Sequence, residues 1–170
     1  MRSLLQSTTS TAPPDPVPIG PDAWHPTLEQ RLNHLKETAA DHRHRLLLLS
    51  AQARTPELRA ALDLRAAAWD RQEDELHDLV IDLYGAPQEG WGSGLVPADV
   101  MTGGPATGPA DIDLAAECIA EETAAGRTYA HLSASEPLPA TVRDTLARHH
   151  QASIDSAQRF IAMRQRLEDR

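Results

Sequence analysis

The chain has 170 residues, 41% of them apolar but only 4% aromatic, and a formal net charge of −9. That is one domain's worth of chain with a core built mostly from Leu and Ala, which suits closely packed helices. The acidic balance argues against a nucleic-acid or anionic-membrane partner, because both require a basic face. Lys36 is the only lysine among the basic residues, and the Arg- and Ala-rich composition points to a bacterial source with a GC-rich genome.

Residues 1–26 hold six prolines with Ser and Thr and little to bury, which predicts a disordered tail ahead of a single domain over 27–170. The segment MRSLLQSTTS lacks the apolar core of a signal peptide. The longest apolar run, Leu46 to Leu49, is far too short to span a bilayer. Cys118 is the one cysteine, so neither an internal disulfide nor a cysteine zinc cluster can form, and a cytoplasmic location is expected.

The helical signal opens at Thr27, with Gln30 three residues on in a capping-box pattern. Leu28, Leu32, Leu35, Ala39, His42, Leu46, Leu49 and Ala53 then recur in alternating steps of four and three, one face of a helix over 28–53. Thr55-Pro56-Glu57 reads as an N-cap, a first-turn proline and a first-turn acid. The second helix is expected over 56–84, with Leu58, Leu62, Arg65, Trp69, Gln72, Leu76, Leu79 and Leu83 inward. Residues 85–110 carry seven Gly and four Pro and predict no regular element. Asp111 is expected to cap a third helix over 111–133, whose inner face is Ala115, Cys118, Glu122, Ala125, Tyr129 and Leu132. After Pro137 and Pro139, a fourth helix over 139–168 turns Val142, Leu146, His149, Ser153, Ser156, Phe160, Met163 and Leu167 inward.

The loop lengths set the expected topology. Arg54 and Thr55 allow only a tight antiparallel hairpin between the first two helices. A connection of 26 residues can reach about 85 Å, ample to return along a helix of about 42 Å. Two hairpins joined by one long crossover make a four-helix bundle of ferritin-like arrangement, the alternative being a simple up-down bundle with a long loose loop.

His42, Glu122 and His149 each interrupt an apolar seam near mid-helix, with Arg65 and Gln72 at similar depth on the second helix. Buried ionisable groups need partners or a metal. In one reading Glu122 pairs with Arg65, and the histidines and Gln72 complete a hydrogen-bond network that fixes register. In the other, His42, Glu122 and His149 bind a divalent metal, with iron, manganese or zinc suited to such ligands. Arg65 favours the network, because a cation beside a metal is unfavourable. No nucleophile motif, phosphate loop or dinucleotide fingerprint is present.

Several short stretches together resemble an uncharacterised bacterial branch of the ferritin-like superfamily, a family of unknown function. They are Leu32-Asn33-His34-Leu35, Thr55-Pro56-Glu57-Leu58-Arg59, Leu83-Tyr84-Gly85-Ala86-Pro87, Glu122 with Tyr129, and Leu138-Pro139 through Val142-Arg143. The resemblance covers about 28–165 and implies a ferritin-like four-helix bundle, with Glu122 matching the carboxylate of the third helix. Di-metal members carry Glu-x-x-His on two helices, and neither expected inner face has one here. The expectation is therefore a non-enzymatic bundle acting as a structural, stress-related or interaction module, with a homo-oligomer or a protein partner compatible with it. The alternatives are a metal-binding oxidoreductase or storage protein with a non-standard site, and a bundle that takes a small apolar ligand.

Overall fold

A computed structural model describes residues 27–85, 110–135 and 137–170; the expected tail and most of the expected loop lie outside them. Four helices, and no strand, occur among the described residues: α1 (Leu28–Gln52), α2 (Pro56–Tyr84), α3 (Asp111–Ser135) and α4 (Ala140–Glu168). No helix among them is long and apolar enough to cross a membrane. The expected bounds hold within two residues at every end, with α3 running on to Ser135.

The capping box forms as its spacing predicts. Thr27 Oγ1 accepts from the Gln30 amide at 3.2 Å, and Gln30 Oε1 accepts from the Thr27 amide at 2.9 Å. Thr55 does not act as expected: its side chain makes no capping bond to α2. Asp111 supplies what is missing there. It is the first residue of α3 rather than a cap ahead of it, and its carboxylate accepts from the Arg54 and Thr55 amides at 2.9 and 2.8 Å. The turn between α1 and α2 is thus held by an acid 56 positions further on. Burial acts to raise the Asp111 pKa, and the hydrogen bonds from Arg54 and Thr55 outweigh it, so the carboxyl lies below its ordinary value. Asp111→Ala is expected to cost about 2 kcal/mol, the scale of a cap or of hydrogen bonds to a charged acceptor. Urea denaturation of the two proteins at neutral pH measures it; equal midpoints would contradict the role.

Helix directions follow from these contacts. Ser50 bonds Asp63 and Arg43 pairs with Asp70, so α1 and α2 are antiparallel. His150 faces the Gly126 carbonyl at 2.9 Å and Tyr129 meets His149, so α3 and α4 are antiparallel too. Arg54 lies by Asp111 and Arg65 by Glu122, eleven residues on in both helices, so α2 and α3 run the same way. The tight pairs are α1 with α2 and α3 with α4, and α2 touches α4 across the join.

One apolar cluster draws on all four helices, from Leu32, Leu46, Leu62 and Leu76 to Leu114, Val142, Leu146 and Phe160. The seam positions read from spacing are buried almost throughout. The exceptions are at the ends and at one histidine. Leu83 is 36% exposed where α2 outruns its neighbours, and Met163, Leu167, Leu28 and His42 are half-buried. Cys118 is fully buried, and burial, aided by the nearby carboxylates, pushes its thiol up to about 12. The folded protein is expected to give no thiol titre with an aromatic disulfide reagent at pH 8, and one thiol per chain in guanidinium. Rapid reaction of the folded form would mean that α3 opens locally.

Candidate functional site

Arg65 and Glu122 meet where the two hairpins join. Both sit on inner faces because their spacing from Leu62 and Cys118 is that of the apolar residues around them. The pair is bidentate: Nε donates to Oε1 at 2.6 Å and one terminal nitrogen donates to Oε2 at 2.7 Å. Arg65 is 7% and Glu122 2% exposed. Trp69 Nε1 donates to the same Oε1 at 3.1 Å, and Ser153 Oγ lies 3.5 Å from the guanidinium. Planar guanidinium on planar carboxylate is the geometry that recovers most of the desolvation cost.

Rings extend the layer to both sides. The Arg65 guanidinium carbon lies 4.5 Å from the Trp69 ring centre, a cation–π contact. His42 stacks on Trp69 with centroids 4.7 Å apart, and Trp69 faces Tyr129 at 6.4 Å. Tyr129 in turn meets the His149 ring edge-on at 5.4 Å. Burial pushes the Tyr129 hydroxyl well above its ordinary pKa.

The residues expected at the centre reach this layer, but each is engaged differently. Glu122 pairs with Arg65, as the network reading expected. His149 turns away from Glu122: its Nε2 lies 3.1 Å from Glu75 Oε2, and Glu75 is also held by Arg148 at 3.0 Å. A carboxylate only accepts, so Nε2 carries the proton and Nδ1 is left as a lone pair. That Nδ1 and the Gln72 Oε1 are buried and meet no hydrogen-bond partner among the described residues, so Gln72 does not complete the expected network through its carbonyl oxygen. His42 lies at the layer's edge, with Nδ1 3.8 Å from Glu121, whose carboxylate is clasped by Arg45 on α1. Among the described residues, no three His, Cys, Asp or Glu side chains are grouped so as to hold a metal ion.

Trp69 and Glu75 are among the participants that the sequence reading does not place in the polar layer. Trp69 reads as one more apolar seam residue, yet its position four after Arg65 puts its N–H beside the carboxylate that Arg65 holds. Glu75 lies beside the seam, one residue before the buried Leu76, and only the approach of α4 makes it a partner for His149.

The layer is expected to respond to pH. Burial lowers the His149 pKa below 6.5, with Glu75 acting in the opposite direction and not overcoming it. A histidine whose folded pKa is depressed favours folding in its neutral form. Its contribution is complete above the unfolded pKa and is lost as pH falls through the folded value, because the unfolded chain binds the proton first. Melting temperature is therefore expected to decline from about pH 6.5 downward, and His149→Gln to flatten the part of the decline nearest pH 6. An unchanged slope in the variant would assign the proton uptake to other groups.

Compared with known proteins, the chain matches no family model, and no curated protein matches it.

Proposed function

We propose that the protein is a non-enzymatic helical bundle of ferritin-like arrangement, in which an arginine stands where a metal would otherwise neutralise the central carboxylate. The single observation that carries this reading is the bidentate Arg65–Glu122 pair at the join of the two hairpins. The parallel course of α2 and α3 adds support, since the hairpins of a ferritin-like bundle are related in that way.

The residues present do not fit a divalent ion at Glu122. Both carboxylate oxygens accept from Arg65 and one accepts also from Trp69, which leaves a cation where an ion would sit. The His149 nitrogen nearest a carboxylate is protonated and faces Glu75 instead. Nothing in the layer pairs a nucleophile with a base: Cys118 and Tyr129 are both held protonated by burial. The role that remains is a scaffold, with the ion pair fixing how one hairpin docks on the other and the outer faces free to meet a partner. Buried charge pairs serve register in this way in other systems.

Melting of the purified full chain with chelator, and with added iron(II), manganese or zinc, tests the reading, together with elemental analysis. The expected result is one melting temperature in every condition and no stoichiometric metal. A rise with one metal that is lost in Glu122→Gln would replace the scaffold reading with a metal-binding one.

A further inference from the structure

The α2 and α4 helices leave a groove of about 270 Å³ between them, close to the lower end of small-molecule sites. Leu64, Ala68, Phe160 and Met163 give it an apolar wall. An apolar wall alone selects no occupant. The floor does, because Arg65 and Ser156 also line the groove, each more than nine-tenths buried.

The ion pair does not use up the Arg65 guanidinium. Nε donates to Glu122 Oε1, and Nη2 donates to Glu122 Oε2 and approaches Ser153 Oγ at 3.5 Å. Nη1, with two N–H groups, meets no hydrogen-bond partner among the described residues, and it is not sealed from solvent. In a planar guanidinium, Nη1 points away from a carboxylate clasped by Nε and Nη2. The Ser153 contact shows that the group reaches α4. Ser156 lies one helical turn beyond Ser153, on the same side of α4. Its hydroxyl is likewise open and without a hydrogen-bond partner among the described residues. Facing helices thus bring unspent donors, Nη1–H and Oγ–H, to one groove floor.

Unspent donors beside an apolar wall call for an acceptor oxygen. They do not call for a counter-charge, since Glu122 already neutralises Arg65. On the exposed rim, Asp155 stands between Arg71 and Arg159, so the charges there offset one another and frame no anion site. We infer that the α2–α4 groove binds an uncharged small molecule carrying a carbonyl oxygen on an apolar body, a medium-chain alkyl ketone being the simplest case. The oxygen accepts from Arg65 Nη1 and Ser156 Oγ, and the alkyl chain lies along Leu64, Ala68 and Phe160. The inference shares the ion pair with the scaffold reading but not its conclusion: melting with added metals tests that reading, and ligand binding tests this one.

The test is titration of the isotope-labelled full chain with octan-2-one, with octylammonium and octanoate in parallel, followed by NMR of the backbone amides and of the arginine side-chain N–H groups. The ketone is expected to shift the amides of Ala68, Ser156 and Phe160 together with the Arg65 side-chain signal. Octylammonium, which has donors and no acceptor, is expected to bind about tenfold more weakly, or about 1.4 kcal/mol. Ser156→Ala is expected to weaken the ketone about fivefold, the scale of one hydrogen bond, and to leave octylammonium unchanged. Ala68→Leu, which narrows the groove without touching the ion pair, should weaken every ligand. Tighter binding of octanoate than of the ketone would make the groove an anion site and overturn the inference. Equal binding of ketone and ammonium, amide shifts with an unmoved Arg65 side-chain signal, or no shift at millimolar ketone would each overturn it too.

Discussion

Glu122→Gln is expected to destabilise the protein by about 3–5 kcal/mol, the usual cost of removing one partner of a buried ion pair. The substitution changes no volume, so the loss is electrostatic. Arg65, at 7% exposure, keeps its charge and loses the carboxylate that neutralises it. The amide fits the site badly as well. Its NH2 group would face the guanidinium or the Trp69 N–H where an oxygen now accepts from both. With a typical domain stability of about 5–15 kcal/mol, a large share of the folding free energy rests on this one oxygen. Chemical denaturation monitored by circular dichroism measures the loss. A change under about 1 kcal/mol would mean that water reaches the pair in solution.

Trp69→Ala is expected to have an effect of similar size, about 3–5 kcal/mol, for a different reason. Trp69 is 1% exposed and is the layer's central ring, with Arg65, His42 and Tyr129 against it. Truncation opens a cavity and also removes an N–H donor from Glu122. The two contributions separate in Trp69→Phe, which keeps an aromatic ring but has no N–H. That variant is expected to lose about 1–2 kcal/mol, of the order of one hydrogen bond to a charged group plus imperfect packing. If Phe cost as much as Ala, the hydrogen bond to Glu122 would dominate the packing.

What the sequence made legible follows the physics of each signal. Seam residues were readable because helix geometry is local: steps of three and four put Leu32, Ala39 and Leu46 on one face whatever lies opposite. The Arg65–Glu122 pair was readable as one alternative, because two opposite charges at similar depth on inner faces have few other ways to be buried. The partner of His149 was not readable. It comes from Glu75, 74 positions away and beside the seam, and depends on how α4 lies against α2. Asp111 misled for a related reason. An acid at a helix start reads as that helix's own cap, whereas here it serves the turn at Arg54 and Thr55, which becomes its neighbour only once α2 and α3 run parallel. Local signals thus placed the helices and their inner faces, and non-local docking decided the polar partners.

The central claim is that Arg65 and Glu122 act as one unit joining the hairpins, and a double-mutant cycle in denaturant tests it most directly. Arg65→Met and Glu122→Leu are each expected to cost several kcal/mol, about 3–5 for the carboxylate. The double variant places two apolar side chains where the charges were, and is expected to lie within about 1–2 kcal/mol of wild type, a coupling well beyond additivity. Losses in the double variant equal to the sum of the single ones would contradict the account, since they would show that the two side chains stabilise the protein independently.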